Sequence, residues 1–180
     1  MLEFIICSFS RPFNNKLRHF VFRSIAAAIA IPNAMGILVA SSTRNAVKGT
    51  WYQNLKKSSL NPPNWVFPVA WTSLYAMMGV ASYLVYQSGD GFSGAAKLPL
   101  SLYLLQLGLN GIWNPLFFLA QRPDLALIDI LALDGLVAGC ISTFYPVNET
   151  AAYLLLPYMG WILFATHLNF SIWLNNKKNT

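Results

Sequence analysis

The side chains in this chain that could do chemistry are aromatic rings and a few carboxylates, set at helical spacing. Phe67, Trp71 and Tyr75 fall at i, i+4 and i+8 and so share one face of a helix. Asn110 and Trp113 are three apart, and Trp161, Ala165 and Leu168 repeat at i, i+4 and i+7. If these stripes converge, they enclose a flat apolar slot with a few polar atoms. That is the chemistry of a pocket for a planar macrocycle or a sterol. Spacing alone favours plain packing or a lipid-facing belt over a pocket. Asp129 and Asp134 stand inside an apolar run. A carboxylate there costs at least ~2.5 kcal/mol, which makes each a functional candidate. Five residues apart on a helix, they point roughly 140° from one another and cannot form a dyad. There is no Ser/His/Asp set, no metal-ligand spacing and no phosphate loop, so ordinary catalysis lacks support and no cofactor is required. His19 lies in the arm, and His167 reads as structural or pocket-facing rather than as a general base. Cys7 and Cys140 make no disulfide framework.

The elements that must position these residues follow from charge-free runs. Hydrophobic residues make up 56% and charged residues 10% of the 180, against roughly 25% charged in a soluble domain. No Asp, Glu, Lys or Arg occurs from Trp65 to Gly89 or from Leu98 to Gln121. Each run exceeds the ~20 residues that cross a bilayer core. The expected fold is all-α, an integral membrane bundle of five transmembrane helices over 21–175, with spans at about 22–42, 65–87, 98–120, 125–145 and 151–174. A basic arm at 1–20 precedes them and a polar tail at 176–180 follows. Pro32 and Gly36 lie in span 1 and Pro115 in span 3, where neighbouring helices can satisfy the freed backbone groups. Asn61-Pro62-Pro63 closes a long first loop. Asp124 is the expected N-cap of span 4. Short turns make spans 3, 4 and 5 antiparallel neighbours.

The net charge of +6 does not point to nucleic acid. The basic residues sit in arms and loops, as topology signals and contacts to anionic lipid do. Seven cations (Arg44, Lys48, Lys56, Lys57, Arg122, Lys177, Lys178) face five (Arg11, Lys16, Arg18, Arg23, Lys97) across the membrane, which favours a cytosolic C-terminus. Gly108 and Gly111 on span 3 permit the close helix approach of a homodimer.

A series of motifs runs along the chain in one order. Trp51-Tyr52-x-x-Leu55-x-Lys57 leads to Pro62-Pro63-x-Trp65 and Pro68-x-x-Trp71-x-x-Leu74-Tyr75-x-x-Met78-Gly79. Gln106-Leu107-x-Leu109-Asn110-x-x-Trp113-x-Pro115-x-Phe117-Phe118 follows, then Ala126-Leu127-Ile128-Asp129, and last Pro157-Tyr158-x-x-Trp161-x-x-Phe164-Ala165-Thr166-x-Leu168-Asn169. Over about 25–175 this resembles the translocator protein family, also called tryptophan-rich sensory proteins or peripheral benzodiazepine receptors. The resemblance implies a five-helix bundle whose cavity opens toward the first loop. It implies a membrane ligand-binding protein for porphyrin or haem, with sterols and benzodiazepine-site ligands as further classes, acting in sensing, transport or disposal. It also implies the mitochondrial outer membrane if the source is an animal, and otherwise an endomembrane or cell membrane.

The resemblance places Phe67, Trp71, Tyr75, Asn110, Trp113, Asp134, Trp161, Ala165 and Leu168 on the cavity wall, with Tyr52 and Pro62 in its lid. Trp71 and Trp161 match tryptophans implicated in porphyrin breakdown in bacterial relatives, so a light- or oxidant-dependent porphyrin-degrading enzyme is one rival. Indoles that only stack on a ligand are the plainer reading. A proton-coupled transporter using Asp134 is the other rival. Asp134 departs from the family's apolar residue and is expected to tune ligand choice. Ser58 and Leu60 also depart from the pattern. Phe170 and Leu174 replace the tyrosine and arginine of the animal sterol motif, which weakens sterol binding by that route.

Overall fold

The computed structural model describes residues 15–177, with side chains from Ile25 onward apart from Ser93. Residues 1–14 of the expected basic arm and 178–180 of the tail lie outside that range. The helices are α1 (Asn15–Lys48), α2 (Thr50–Asn54), α3 (Val66–Ser88), α4 (Lys97–Asn114), α5 (Pro123–Phe144), α6 (Glu149–Leu154) and α7 (Leu156–Asn176), with no strand among the described residues. Five segments are long and apolar enough to cross a membrane: Ile25–Lys48, Val66–Ser88, Lys97–Leu119, Pro123–Phe144 and Glu149–Asn176. The all-α, five-span architecture expected from the charge-free runs is therefore the observed one.

The spans form a ring in the order α1, α3, α6–α7, α5, α4 and back to α1. Two clusters fill it. The larger runs from Leu74 and Tyr75 through Leu133 and Val137 to Tyr158 and Ile162. The smaller sits at the first-loop end around Tyr52, Phe117, Ala126 and Ile172. Trp113 packs against both.

Prolines set the local breaks. Pro32 has no N–H to give the Ala28 carbonyl. Asn33 Nδ2 donates to the neighbouring Ile29 carbonyl at 2.9 Å. The freed Ala28 carbonyl faces Gly79 of α3. A Cβ at Gly79 would lie 2.5 Å from that oxygen and 2.6 Å from Ile29 Cα. Only glycine lets the two backbones meet there. Pro115 turns the end of α4 into a π-helical stretch, Pro115–Leu119, in which Ala120 N donates to Pro115 O at 2.9 Å. The wider turn brings Phe117 and Phe118 to the first-loop end of the bundle. Pro157, without an N–H, divides the fifth span into α6 and α7 at Leu155.

Three expectations need correction. Span 1 continues past Ser42 to Lys48. The hydroxyls of Ser41, Ser42 and Thr43 donate to carbonyls at Ile37 and Val39 of their own helix, so these polar residues do not end it. The first loop contains a short helix, α2, that no apolar period announces. Asp124 is not the cap of α5. Pro123, favoured at the first helical position, moves the cap back to Arg122. Asp124 instead accepts from Arg122 Nε at 2.9 Å and Nη2 at 2.7 Å.

Candidate ligand-binding chamber

At the first-loop end, four spans part around a chamber of about 410 Å³. Its α3 wall is Phe67, Trp71 and Tyr75, the stripe that the i, i+4, i+8 spacing marks. Trp71 stacks on Tyr75 with centroids 5.2 Å apart and meets Tyr158 edge-on at 6.2 Å. Trp113 and Phe117 form the α4 wall, stacked at 4.9 Å. Ala165 and Leu168 supply the α7 wall.

The α1 wall escaped the sequence reading. Asn33, Gly36, Ala40, Thr43 and Val47 line the chamber in steps of three and four. The signal was there as a stripe of small and weakly polar residues on one helical face. Gly36 has a definite role, since a Cβ there would overlap the Tyr75 ring.

Hydrogen bonds hold the walls at fixed angles. Tyr75 donates its hydroxyl to Asn110 Oδ1 at 2.6 Å. Asn110 Nδ2 donates to the Tyr158 oxygen at 3.1 Å, and Tyr158 donates to Gln106 Oε1 at 3.0 Å. Trp113 Nε1 donates to Asn169 Oδ1 at 3.0 Å, while Asn169 Nδ2 donates to the Pro123 carbonyl at 2.8 Å. Inside a bilayer each such bond is worth about 0.6 kcal/mol on average and up to about 1.7. The first network is buried throughout and the second is buried at Asn169, so they fix ring orientation as well as add stability.

The lid is α2 and the chain that follows. Tyr52 is buried and packs edge-on against Phe118 at 5.1 Å and Phe117 at 6.3 Å. Burial pushes its phenol above the usual tyrosine range, so it stays neutral. Lys57 Nζ lies 3.8 Å from the centroid of the Tyr52 ring, over its face. Asn176 at the end of α7 clamps the main chain of Lys56. Lys56 N donates to Asn176 Oδ1 at 3.1 Å, and Asn176 Nδ2 donates to Lys56 O at 3.2 Å.

Of the residues picked out from sequence, Tyr52, Phe67, Trp71, Tyr75, Trp113, Ala165 and Leu168 meet at the chamber. Four stand outside its wall. Pro62 is replaced on the lining by its neighbours Asn61 and Asn64. Asn110 sits behind Tyr75, its amide taken by two tyrosines. Trp161 packs edge-on behind Phe67 at 6.0 Å, with its Nε1 buried and unpartnered. Asp134 accepts from Thr166 Oγ1 at 2.9 Å across the α5–α7 seam. The reason is common to both carboxylates: α5 supplies no lining residue, so Asp129 and Asp134 bear on the seams of the bundle. His167 is exposed on the outside of α7 and is not pocket-facing.

A multi-pass helical bundle enclosing an aromatic chamber under an extramembrane lid belongs to the class of integral membrane ligand-binding or transport proteins. The model of the TspO/MBR family matches residues 28–174. Human translocator protein is 39% identical over 151 residues, covering 84% of this chain and 89% of that one. The tryptophan-rich protein TspO of Archaeoglobus fulgidus is 42% identical over 153 residues, 85% of this chain and 94% of the relative. A translocator protein homolog of Schizosaccharomyces pombe is 36% identical over 165 residues, 89% and 99% of the two chains. The chain belongs to the TspO/MBR family.

Proposed function

We propose that the chamber binds planar apolar ligands of the porphyrin and haem class, with sterols a weaker fit, and that the protein senses, moves or disposes of them. The observation that carries this reading is the composition of the wall: stacked rings from α3 and α4 facing mostly small residues of α1 and mostly aliphatic residues of α7. Such a slot accepts a flat macrocycle, and its volume lies within the roughly 300–1,000 Å³ of small-molecule pockets. Asn33, Thr43 and Asn114 add the few polar atoms that can orient a ligand.

The test is spectroscopic titration of the purified chain with protoporphyrin IX, haem and a sterol. Porphyrin binding is expected to weaken about tenfold or more in Trp71→Ala, since an aromatic contact of this kind carries about 1–3 kcal/mol with its buried area. Trp161→Phe, outside the wall, is expected to keep near-native affinity. Equal affinity in Trp71→Ala and the unmodified chain would remove the reading.

Trp71 also supports porphyrin breakdown as a second reading, because its indole faces the chamber and stacks on a second oxidisable ring, Tyr75. Loss of porphyrin absorbance under light, stopped by Trp71→Phe, would favour that reading over binding alone. Proton-coupled transport draws less support, because Asp134 is engaged at the α5–α7 seam.

A further inference from the structure

A second cavity, about 570 Å³, lies at the same end of the bundle on the far side of α2. Tyr52 faces the chamber, whereas Trp51, Asn54 and Leu55 face this surface cavity, so the lid helix is a partition between the two. Arg122 and Asp124 from the α4–α5 turn, with Trp173 and Asn176 from the end of α7, complete its lining. Arg122, Pro123, Asp124, Trp173 and Asn176 stand at or just outside the ends of spans, and the lid residues lie beside them. Trp51 and Trp173 are the interfacial aromatics expected there.

The charges are unequal in their freedom. Asp124 is the only acid on the lining among the described residues, and its oxygens accept from Arg122 Nε and Nη2. Nη1 of Arg122 makes no hydrogen bond among the described residues, and the side chain is half exposed. Lys177 Nζ lies 5.0 Å over the Trp173 ring, and the exposed Lys56 is held to Asn176 through its main chain. The amides of Asn54 and Asn176 offer further donors. The Arg122–Asp124 pair is neutral as a whole, so among the described residues the unpaired charges beside the cavity are those of Lys177 and Lys56, next to a floor of two indoles, Leu55 and Pro123.

We propose that this surface cavity holds the headgroup of an anionic phospholipid, with the phosphate against Arg122 and Lys177 and the glycerol and first methylenes on Trp51 and Trp173. The proposal is independent of what the inner chamber binds.

The full chain in mixed micelles is exposed to phosphatidylglycerol or phosphatidylcholine at equal mole fraction, and retained lipid is counted by native mass spectrometry. Phosphatidylglycerol is expected to be retained about tenfold more, from the extra cationic contacts. Arg122→Gln combined with Lys177→Gln is expected to abolish that preference, while the inner-chamber variant Trp71→Ala keeps it. Raising the salt concentration strips the lipid from the unmodified chain, a reading that needs no substitution. Excess free glycerol phosphate does not displace the lipid, because it lacks the apolar part. Equal retention of the two lipids, retention unchanged by salt or by the double substitution, or displacement by glycerol phosphate would each overturn the assignment.

Discussion

Replacing Gly79 by alanine tests the seam between α1 and α3. The added methyl would sit 2.5 Å from Ala28 O, 2.6 Å from Ile29 Cα and 2.8 Å from Ala28 C. All three are backbone atoms, so no side chain can swing away. Ordinary contact needs about 3.4 Å or more, and the helices must part by roughly 1 Å to restore it. Overpacking of this kind costs about 1–3 kcal/mol. The expected result is a destabilisation of that size in reversible unfolding from mixed micelles. Because Gly36 and Ala40 of α1 line the chamber, weakened porphyrin binding should accompany it. Gly108, Gly135 and Gly160 provide the control, since nothing lies within 4 Å of a Cβ built on any of them. Alanine there should leave unfolding near that of the unmodified chain. A Gly79→Ala protein as stable as the Gly160→Ala protein would refute the packing account of this seam.

Two further outcomes follow from the hydrogen bonds. Asn169→Leu strands the Trp113 indole N–H and the Pro123 carbonyl together, and should cost about 1–3 kcal/mol of stability and broaden the Trp113 indole resonance. A native-like indole signal would show that Asn169 does not position that ring. Asn176→Ala removes both bonds to the Lys56 main chain, and should speed amide exchange at Lys56 about tenfold and shorten ligand residence in step. Unchanged exchange at Lys56 would show that the lid is held by Tyr52 and its aromatic neighbours alone.

Much of this molecule is legible in its residues because the bilayer punishes charge. The charge-free runs mark the crossings, and the aromatic stripe on α3 keeps its helical spacing from sequence to chamber wall. What stayed hidden depends on which neighbour each face meets. Trp161 shares its spacing with Ala165 and Leu168, yet lies about one turn beyond the chamber's α7 lining and finds Phe67 in front of it. Asp134 reads as a lining residue until α5 is placed, after which Thr166 becomes its partner. The α1 wall carries no aromatic residue in its lining stripe and no charge, so nothing in it outweighs an ordinary apolar period. The lid helix α2 is only five residues long and too short to show a period at all.

The ring of spans is also unequal in how firmly each is embedded. Only 6% of the apolar window of α1 is buried, against 28–39% in the other four. This stave meets α3 backbone to backbone at Gly79, yet its side chains present the most surface to acyl tails. Its inner face is nonetheless one side of the chamber. The chamber wall that α1 supplies is therefore the one whose far side is most exposed to acyl tails.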